Sequence, residues 1–296
     1  MAATKEDIPF LMKFWAGLYN AAPKVYFPGT KFDIGFIILS TIFMISCRSL
    51  NEYIIYDVYG FEINKMSKEI VSYVTSATHS CMLVPSLWPV LRNQPYIPSA
   101  PIKDTPQYYK DATTALLSLC SGYMVYDFIY MFIKNGWTFV PSELPFLAHH
   151  IVTLIYMNGV RVMGSAHISA MTLMWSGEFT NPIHNLHNVS RFMIQLAGDD
   201  SFWHVINPYV ELSFAVLYAF FRAIVGPAQI FHISYDLLTK EGRKNVPVAV
   251  SMFLIPLCSG IIIGSIPWTV EAWDMIKDGL EVKYHKDWDY GFEDEL

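Results

Sequence analysis

The chain has 296 residues, of which 53% are hydrophobic and only 16% are charged, and its mean hydropathy is positive. A soluble domain carries roughly 25% charged residues, so this composition argues against an ordinary soluble globular protein. The formal net charge is -6 and no basic patch is interleaved with aromatics, so nucleic acid is not an expected partner. The spacing of the apolar runs indicates a single membrane domain that crosses the bilayer several times.

Residues 1–31 are predicted to form an interfacial helix and a linker. Thr4 and Asp7 resemble a capping pair that starts a helix, and apolar residues then recur at helical spacing. Pro23 and Pro28 end the segment. An amphipathic stripe of this kind is typical of a helix that lies on the membrane surface.

Seven apolar stretches follow and predict an all-α, polytopic membrane helical bundle of about seven transmembrane helices. The fourth and fifth stretches together would form a helix of about 50 Å, which is too long for one span. We therefore expect a break around Gly159 to Gly164. The apolar pattern of the sixth stretch also allows a helix that continues to Leu238. The stretches are residues 33–47, 70–91, 112–133, 145–160, 163–175, 207–225 and 246–270.

These stretches define a predicted transmembrane domain of residues 32–276, followed by an acidic C-terminal tail of residues 277–296. The distribution of Lys and Arg weakly favours a cytoplasmic N-terminus, which places the tail in a lumen. The tail ends in Glu-Asp-Glu-Leu, one substitution from a tetrapeptide that returns proteins to the endoplasmic reticulum. An acidic tail that is merely solvated is the commoner meaning of such a sequence.

Two adjacent histidines, His149 and His150, stand inside the fourth apolar stretch, with Thr153 one turn after the first. Ionisable groups in such sequence are costly and usually face a bundle interior. On a helix the two rings diverge by about 100°, so they cannot easily bind one metal ion. Thr153 is expected to orient the His149 ring by hydrogen bonding. A catalytic histidine pair with an imidazole as general base and a structural polar cluster fit this spacing equally well.

Carboxylates in the neighbouring stretches are the expected partners of the histidine pair. Asp127 shares a helical face with Tyr123 and Tyr130, and it needs a partner because an isolated carboxylate in a low dielectric takes up a proton. Glu178 follows the fifth stretch. His79, in the middle of the second stretch, is either a site residue or a structural histidine.

A metal site is not expected. His184 and His187 have the spacing of a ligand pair on a helix, but they follow a proline and lack a carboxylate partner in register.

The order and spacing of these motifs resemble the TLC-domain family of membrane proteins. The resemblance rests on His-His-Ile-Val-Thr at 149–153, on Gly-Tyr-x-x-Tyr-Asp at 122–127 and on His79 after Ser76, and it spans residues 79–270. That family takes in translocating-chain-associating proteins, ceramide synthases and neuronal-ceroid-lipofuscinosis-type proteins. The resemblance implies a six-helix, barrel-like core in the membrane of the endoplasmic reticulum or of another organelle.

Ceramide synthases of this family join a sphingoid base to an acyl-CoA within a helical barrel. Carried over, His149 and His150 would activate the amine or carry the acyl group. This chain departs from their pattern, because no His-Asp-x-x-Asp cluster follows the histidine pair. The sequence at the comparable distance, Trp-Ser-Gly-Glu-Phe-Thr-Asn-Pro at 175–182, looks like the small TLC-domain proteins linked to lipid homeostasis and membrane composition. Glu178 could replace one of the missing carboxylates.

Three functions are therefore open: a protein that binds lipid in an intramembrane cavity, a sphingoid-base N-acyltransferase, and a non-catalytic accessory or scaffold subunit. The expected partners are membrane lipids, together with a second copy of the chain or another subunit of a membrane complex. No cofactor is expected, although acyl-CoA would serve the transferase as co-substrate. The predicted catalytic residues are His149, His150, Asp127 and Glu178, and the predicted lipid-binding residues are His79, Tyr123, Tyr126, Tyr130, Thr153, Asn181 and His184.

Overall fold

The computed structural model of the chain describes residues 8–94, 96–134, 136–138, 140–197 and 201–282. The predicted capping pair at the N-terminus and the Glu-Asp-Glu-Leu end lie outside these residues. Helices dominate the described part. They are α1 (Phe10–Ala21), α2 (Gly35–Tyr53), α3 (Lys65–Arg92), α4 (Gln107–Lys134), α5 (Leu144–Met163), α6 (His167–Glu178), α7 (Asn181–Ala197), α8 (Phe202–Phe220), α9 (Gly226–Leu238), α10 (Gly242–Asn245), α11 (Val248–Gly264) and α12 (Ile266–Val282).

Three helical stretches of the described chain are long and apolar enough to cross a membrane, namely Gln107–Lys134, Phe202–Leu238 and Val248–Gly279. Large hydrophobic side chains on α2, α8, α9, α11 and α12 are also exposed. Water would make such a surface aggregate, whereas lipid covers it at no cost. The fold is therefore an all-α membrane bundle, as the sequence predicts. The count of seven spans and the domain boundaries stay predictions.

The central helix of the described bundle is α4, which packs against α1, α2, α3 and α5. The backbone of α4 comes close to α2 at Gly122, where an added Cβ would lie 2.5 Å from Cβ of Ser40 and 2.8 Å from the carbonyl oxygen of Ile37. The Thr41 hydroxyl donates a hydrogen bond of 3.1 Å to the Gly122 carbonyl oxygen. Small residues at a helix crossing let the two backbones meet in this way.

The length of α2 differs from the prediction. The apolar stretch ends at Cys47, but the helix continues and passes into a π-helical turn, Ile54–Val58. The reason is Arg48, which is buried, donates to the Tyr130 hydroxyl and lies 2.9 Å from a Glu52 carboxylate oxygen. Because its charge is balanced inside the bundle, Arg48 does not have to end the helix.

The break between α5 and α6 falls at the end of the predicted interval. Gly164 takes a left-handed conformation with φ of 67° and Ala166 another with φ of 62°. Glycine adopts this region without strain and ends helices there. The Gly164 carbonyl oxygen accepts a 2.8 Å hydrogen bond from the backbone N–H of Ile102, in the loop that follows α3. The turn is thereby held against the loop.

No apolar stretch in the sequence marks α7, which is the largest difference from the predicted order. Most of the fully buried residues of this helix are polar, so the apolar pattern is weak, yet α7 packs along both α3 and α8. Only Phe179 and Thr180 separate it from α6. Pro182 has no N–H to offer the Glu178 carbonyl, which explains why the helix breaks at this point. The break places Glu178 beside α3.

Candidate functional site

The candidate site lies where α3, α4, α5 and the break between α6 and α7 meet. Its first contact joins α4 to α5: Nε2 of His150 lies 2.8 Å from Oδ2 of Asp127. The other ring nitrogen, Nδ1, lies 2.6 Å from the carbonyl oxygen of Phe146, one turn earlier in α5. Pro145 lies in the first turn of α5, where its missing N–H leaves no helical hydrogen bond unmade.

These two contacts fix the protons of the pair. A carbonyl oxygen only accepts, so Nδ1 of His150 carries a proton and donates it to Phe146. The Asp127 contact then holds one further proton, either on His150 beside a carboxylate or on Asp127 beside a neutral ring. The pair is electrically neutral in both forms. His150 therefore has no nitrogen left for another partner while the pair is intact.

His149 stands in the opposite situation. Its ring meets that of His150 edge-on, with the ring centroids 5.8 Å apart, and it is only partly buried. Within the described residues no hydrogen bond engages either of its nitrogens. A neutral imidazole with a free lone pair is the form that a general base or nucleophile needs. Of the two predicted histidines, His149 is thus the one that can react.

A second group of contacts joins α3 to α4 and to the helix break. The His79 ring is 1% exposed and stacks on the Tyr123 ring, with centroids 3.9 Å apart and planes 9° apart. Nδ1 of His79 lies 3.8 Å from Oε2 of Glu178, which is beyond hydrogen-bond distance. The same Glu178 oxygen accepts a 2.8 Å hydrogen bond from Nδ2 of Asn181. In the described part of the chain both ring nitrogens of His79 lack a hydrogen-bond partner.

Ser76 joins three helices, α3, α4 and α7, next to this group. The Tyr123 hydroxyl donates to Oγ of Ser76 over 3.0 Å, and Nδ2 of Asn185 donates to the same oxygen over 3.1 Å. Ser76 precedes His79 by three residues, so both face the same side of α3. Tyr123 precedes Asp127 by four residues and likewise shares its face of α4. The network thus fixes the stacked tyrosine relative to the Asp127 and His150 pair.

The structure brings six of the predicted residues into these two groups: His79, Tyr123, Asp127, His150, Glu178 and Asn181. Three others have different surroundings. Tyr126 stacks on Tyr130, whose hydroxyl accepts from Arg48 near one end of α4. His184 meets the rings of Tyr73 and Phe214.

The predicted role of Thr153 is not met. Thr153 is buried, but no hydrogen bond joins it to His149 among the residues that the structure describes. Asp127 replaces it as the residue that orients the pair, and it orients His150. Sequence spacing places Thr153 near His149 on the same helix. It does not show which side chains a neighbouring helix brings close.

Two residues of the site were not predicted. Asn185, one turn after Asn181, reaches Ser76. Arg222 lies in a π-helical turn, Phe221–Val225, and its Nη2 donates to the carbonyl oxygen of Gly177 over 3.3 Å. A charge within a predicted span is a signal of function that could have identified Arg222. Asn185 carries no such signal, because α7 itself was not recognised.

The arrangement combines a neutral acid–imidazole pair, an imidazole without a hydrogen bond and a carboxylate in a largely buried part of the bundle. Such groups can hold polar atoms of a ligand by hydrogen bonds, which are stronger where water is excluded. They also include the parts that acyl transfer uses, namely a base and a group that orients it.

Comparison with known proteins supports the resemblance. The family model described as the TLC domain, which covers the TRAM, LAG1 and CLN8 proteins, matches residues 69–274. The match takes in more than half of the chain and every residue of the two contact groups. No curated protein is significantly similar to the chain.

Proposed function

We propose a specific function from the premise that the chain belongs to the TLC-domain family of membrane proteins: it binds lipid at the polar site within its bundle and acts in lipid homeostasis or membrane composition. The endoplasmic reticulum or another organelle membrane is the proposed location. The function goes beyond the family, whose members share a relation to lipids only in general.

The observation that carries the proposal is His79. Its side chain is fully buried and stacked, yet neither nitrogen has a hydrogen-bond partner in the described chain. Leaving a buried polar group without a partner costs about 1–3 kcal/mol. We infer that the two unpaired nitrogens of His79, beside Glu178 and Tyr123, contact the polar part of a ligand. Because His79 lies within a membrane bundle, the class of ligand that fits is a lipid, bound through its head group or its linkage group.

The test compares the lipids bound to wild-type protein with those bound to His79→Phe. Phenylalanine keeps the stack on Tyr123 and removes both nitrogens. The matched control is His232→Phe, because His232 also stacks on a tyrosine, Tyr96, with centroids 4.7 Å apart, but it is exposed and belongs to neither contact group. Each protein is purified in detergent, and bound lipids are identified by native mass spectrometry.

We expect a defined lipid class on wild type and on His232→Phe, and its loss from His79→Phe. Lipid bound equally by all three proteins, or by none, contradicts the proposal. Stoichiometric protein subunits that co-purify in place of lipid would favour the accessory or scaffold function.

A second function, N-acyl transfer, is favoured by the geometry of His149 beside the Asp127 and His150 pair. In that reaction the amine nitrogen attacks the acyl-CoA thioester carbon. The new C–N bond forms, the C–S bond breaks, and a base such as His149 passes the amine proton to the leaving thiolate. Purified protein is incubated with acyl-CoA and long-chain amines, and N-acyl product is followed by mass spectrometry. No product from wild type, or equal product from the His149/His150 double alanine variant, rejects this function.

A further inference from the structure

Arg222 stands near the middle of a helical stretch that is long and apolar enough to cross a membrane. Arg222 follows Phe202 by 20 residues and precedes Leu238 by 16, in a helical stretch of 37 residues. At 1.5 Å per residue, it is about 30 Å and 24 Å from the two ends of that stretch. π-Helical turns inside long helices occur frequently at functional sites. A charge at this depth is expensive and needs a compensating partner.

The structure gives Arg222 few partners. Nη2 donates one hydrogen bond of 3.3 Å to the Gly177 carbonyl, and the guanidinium lies 5.2 Å from the centroid of the Tyr218 ring. Nε is buried without a hydrogen-bond partner. No carboxylate oxygen of the described residues comes within 4.0 Å of the guanidinium. Since a guanidinium has five N–H donors in a planar fork, most of its donor capacity is unused.

The surroundings of Arg222 are polar on one side and aromatic on the other. Its Nη2 is hydrogen-bonded to the carbonyl oxygen of Gly177, the residue before Glu178, so Arg222 adjoins the site. Phe221, the preceding residue, stacks on Phe179 with centroids 4.6 Å apart and meets the Trp175 ring at 6.0 Å. A ligand that contacts this place must carry an oxygen acceptor next to an apolar chain.

We propose that Arg222 binds the carboxylate or carbonyl oxygen of a long-chain acyl group whose chain lies along Trp175, Phe179 and Phe221. A guanidinium pairs with a carboxylate through two parallel N–H···O bonds. A phosphate would bring more charge to the same depth and would therefore lose more hydration. This inference rests on the proposed function, because it names the chemical class of lipid that the same site takes.

The test measures binding of four C18 amphiphiles that differ only in the polar end. They are oleate, methyl oleate, oleyl alcohol and oleylamine, each added at the same mole fraction of detergent to the purified full chain. Binding is followed by the ligand-induced rise in melting temperature and, for oleate labelled with ¹³C at C1, by the carbonyl chemical shift. Binding of both oleate and methyl oleate tests for recognition of the acyl oxygen that they share. The difference between their affinities measures the contribution of the carboxylate charge.

We expect oleate to bind most tightly, about tenfold or more above oleyl alcohol, with methyl oleate between them. Arg222→Met should abolish this order, and Arg222→Lys should keep part of the preference for oleate because it retains charge without the fork. Arg92→Met is the matched control. Arg92 also lies over an aromatic ring, 5.6 Å from the Trp88 centroid, but it is exposed at the end of α3.

The two proposals fail in different ways. If oleate and oleyl alcohol bind wild type equally while His79→Phe still loses its natural lipid, the acyl subsite is wrong and lipid binding stands. If none of the four amphiphiles binds and no lipid co-purifies, both are wrong. Where Arg222→Met fails to fold, Arg222→Lys decides the inference, because a preference for oleate as strong as that of wild type would show that the acyl oxygen binds elsewhere.

Discussion

Nε2 of His150 lies 2.8 Å from Oδ2 of Asp127, and this contact joins two helices over a separation of 23 residues. Nδ1 of the same ring contacts the Phe146 carbonyl oxygen, so both ring nitrogens of His150 are engaged within the protein. The neighbouring His149 keeps both nitrogens free of hydrogen bonds in the described chain. The two adjacent histidines therefore differ: His150 is held in structural contacts, whereas His149 has both nitrogens available for a ligand or for chemistry.

Asp127→Asn and Asp127→Ala should differ in stability. The asparagine amide can donate to Nε2 of a neutral His150, so the hydrogen bond is retained and the protein loses less than about 1 kcal/mol. Alanine leaves Nε2 buried without a partner, which costs about 1–3 kcal/mol. Thermal unfolding in detergent, followed by far-UV circular dichroism, measures both. Equal melting temperatures for the two variants would show that the hydrogen bond does not stabilise the bundle.

His150→Ala and His149→Ala should separate stability from chemistry. Removing His150 leaves Asp127 without its partner and lowers stability by about 1–3 kcal/mol. Removing His149 breaks no hydrogen bond and should change stability by less than about 1 kcal/mol, while any N-acyl product falls to background. Melting temperature and product formation are measured on the same preparations. The assignment of roles is wrong if His149→Ala is the less stable variant or keeps full activity.

The sequence predicts most helices of this fold because a bundle in lipid needs long apolar stretches. It fails at α7, where polar residues such as Asn185 face the interior and the apolar pattern is diluted. It also ends α2 too early at Arg48, since a charge in sequence does not show that Tyr130 and Glu52 will receive it. Both differences arise from tertiary contacts that no window of sequence contains.

The same limit applies to the site. Rarity of ionisable groups in apolar sequence is enough to select His79, Asp127, His150 and Glu178, which the fold brings into two adjacent groups. Which of these residues pair with one another does not follow from the sequence. Thr153 is near His149 along the helix, whereas Asp127 reaches His150 from another helix, and only the crossing of α4 and α5 decides between them.

A different contact of α4, the one with α2, depends on a glycine, and the last prediction concerns it. At Gly122 an added Cβ would meet Ser40 and Ile37 of α2 at 2.5 Å and 2.8 Å, too close for any relaxed contact. Gly122→Ala should therefore separate α2 from α4 and cost about 1–3 kcal/mol. Gly159→Ala is the control, because no atom outside its own helix backbone lies within 4 Å of that position in α5.

In the control variant alanine only favours the helix, by about 0.5–1 kcal/mol. The melting temperature should thus fall for Gly122→Ala and stay level or rise for Gly159→Ala. Because Tyr123 adjoins Gly122, the displaced α4 should also weaken lipid retention in the first variant alone. A Gly122→Ala protein as stable as wild type would mean that the two helices are not packed at this distance in the membrane.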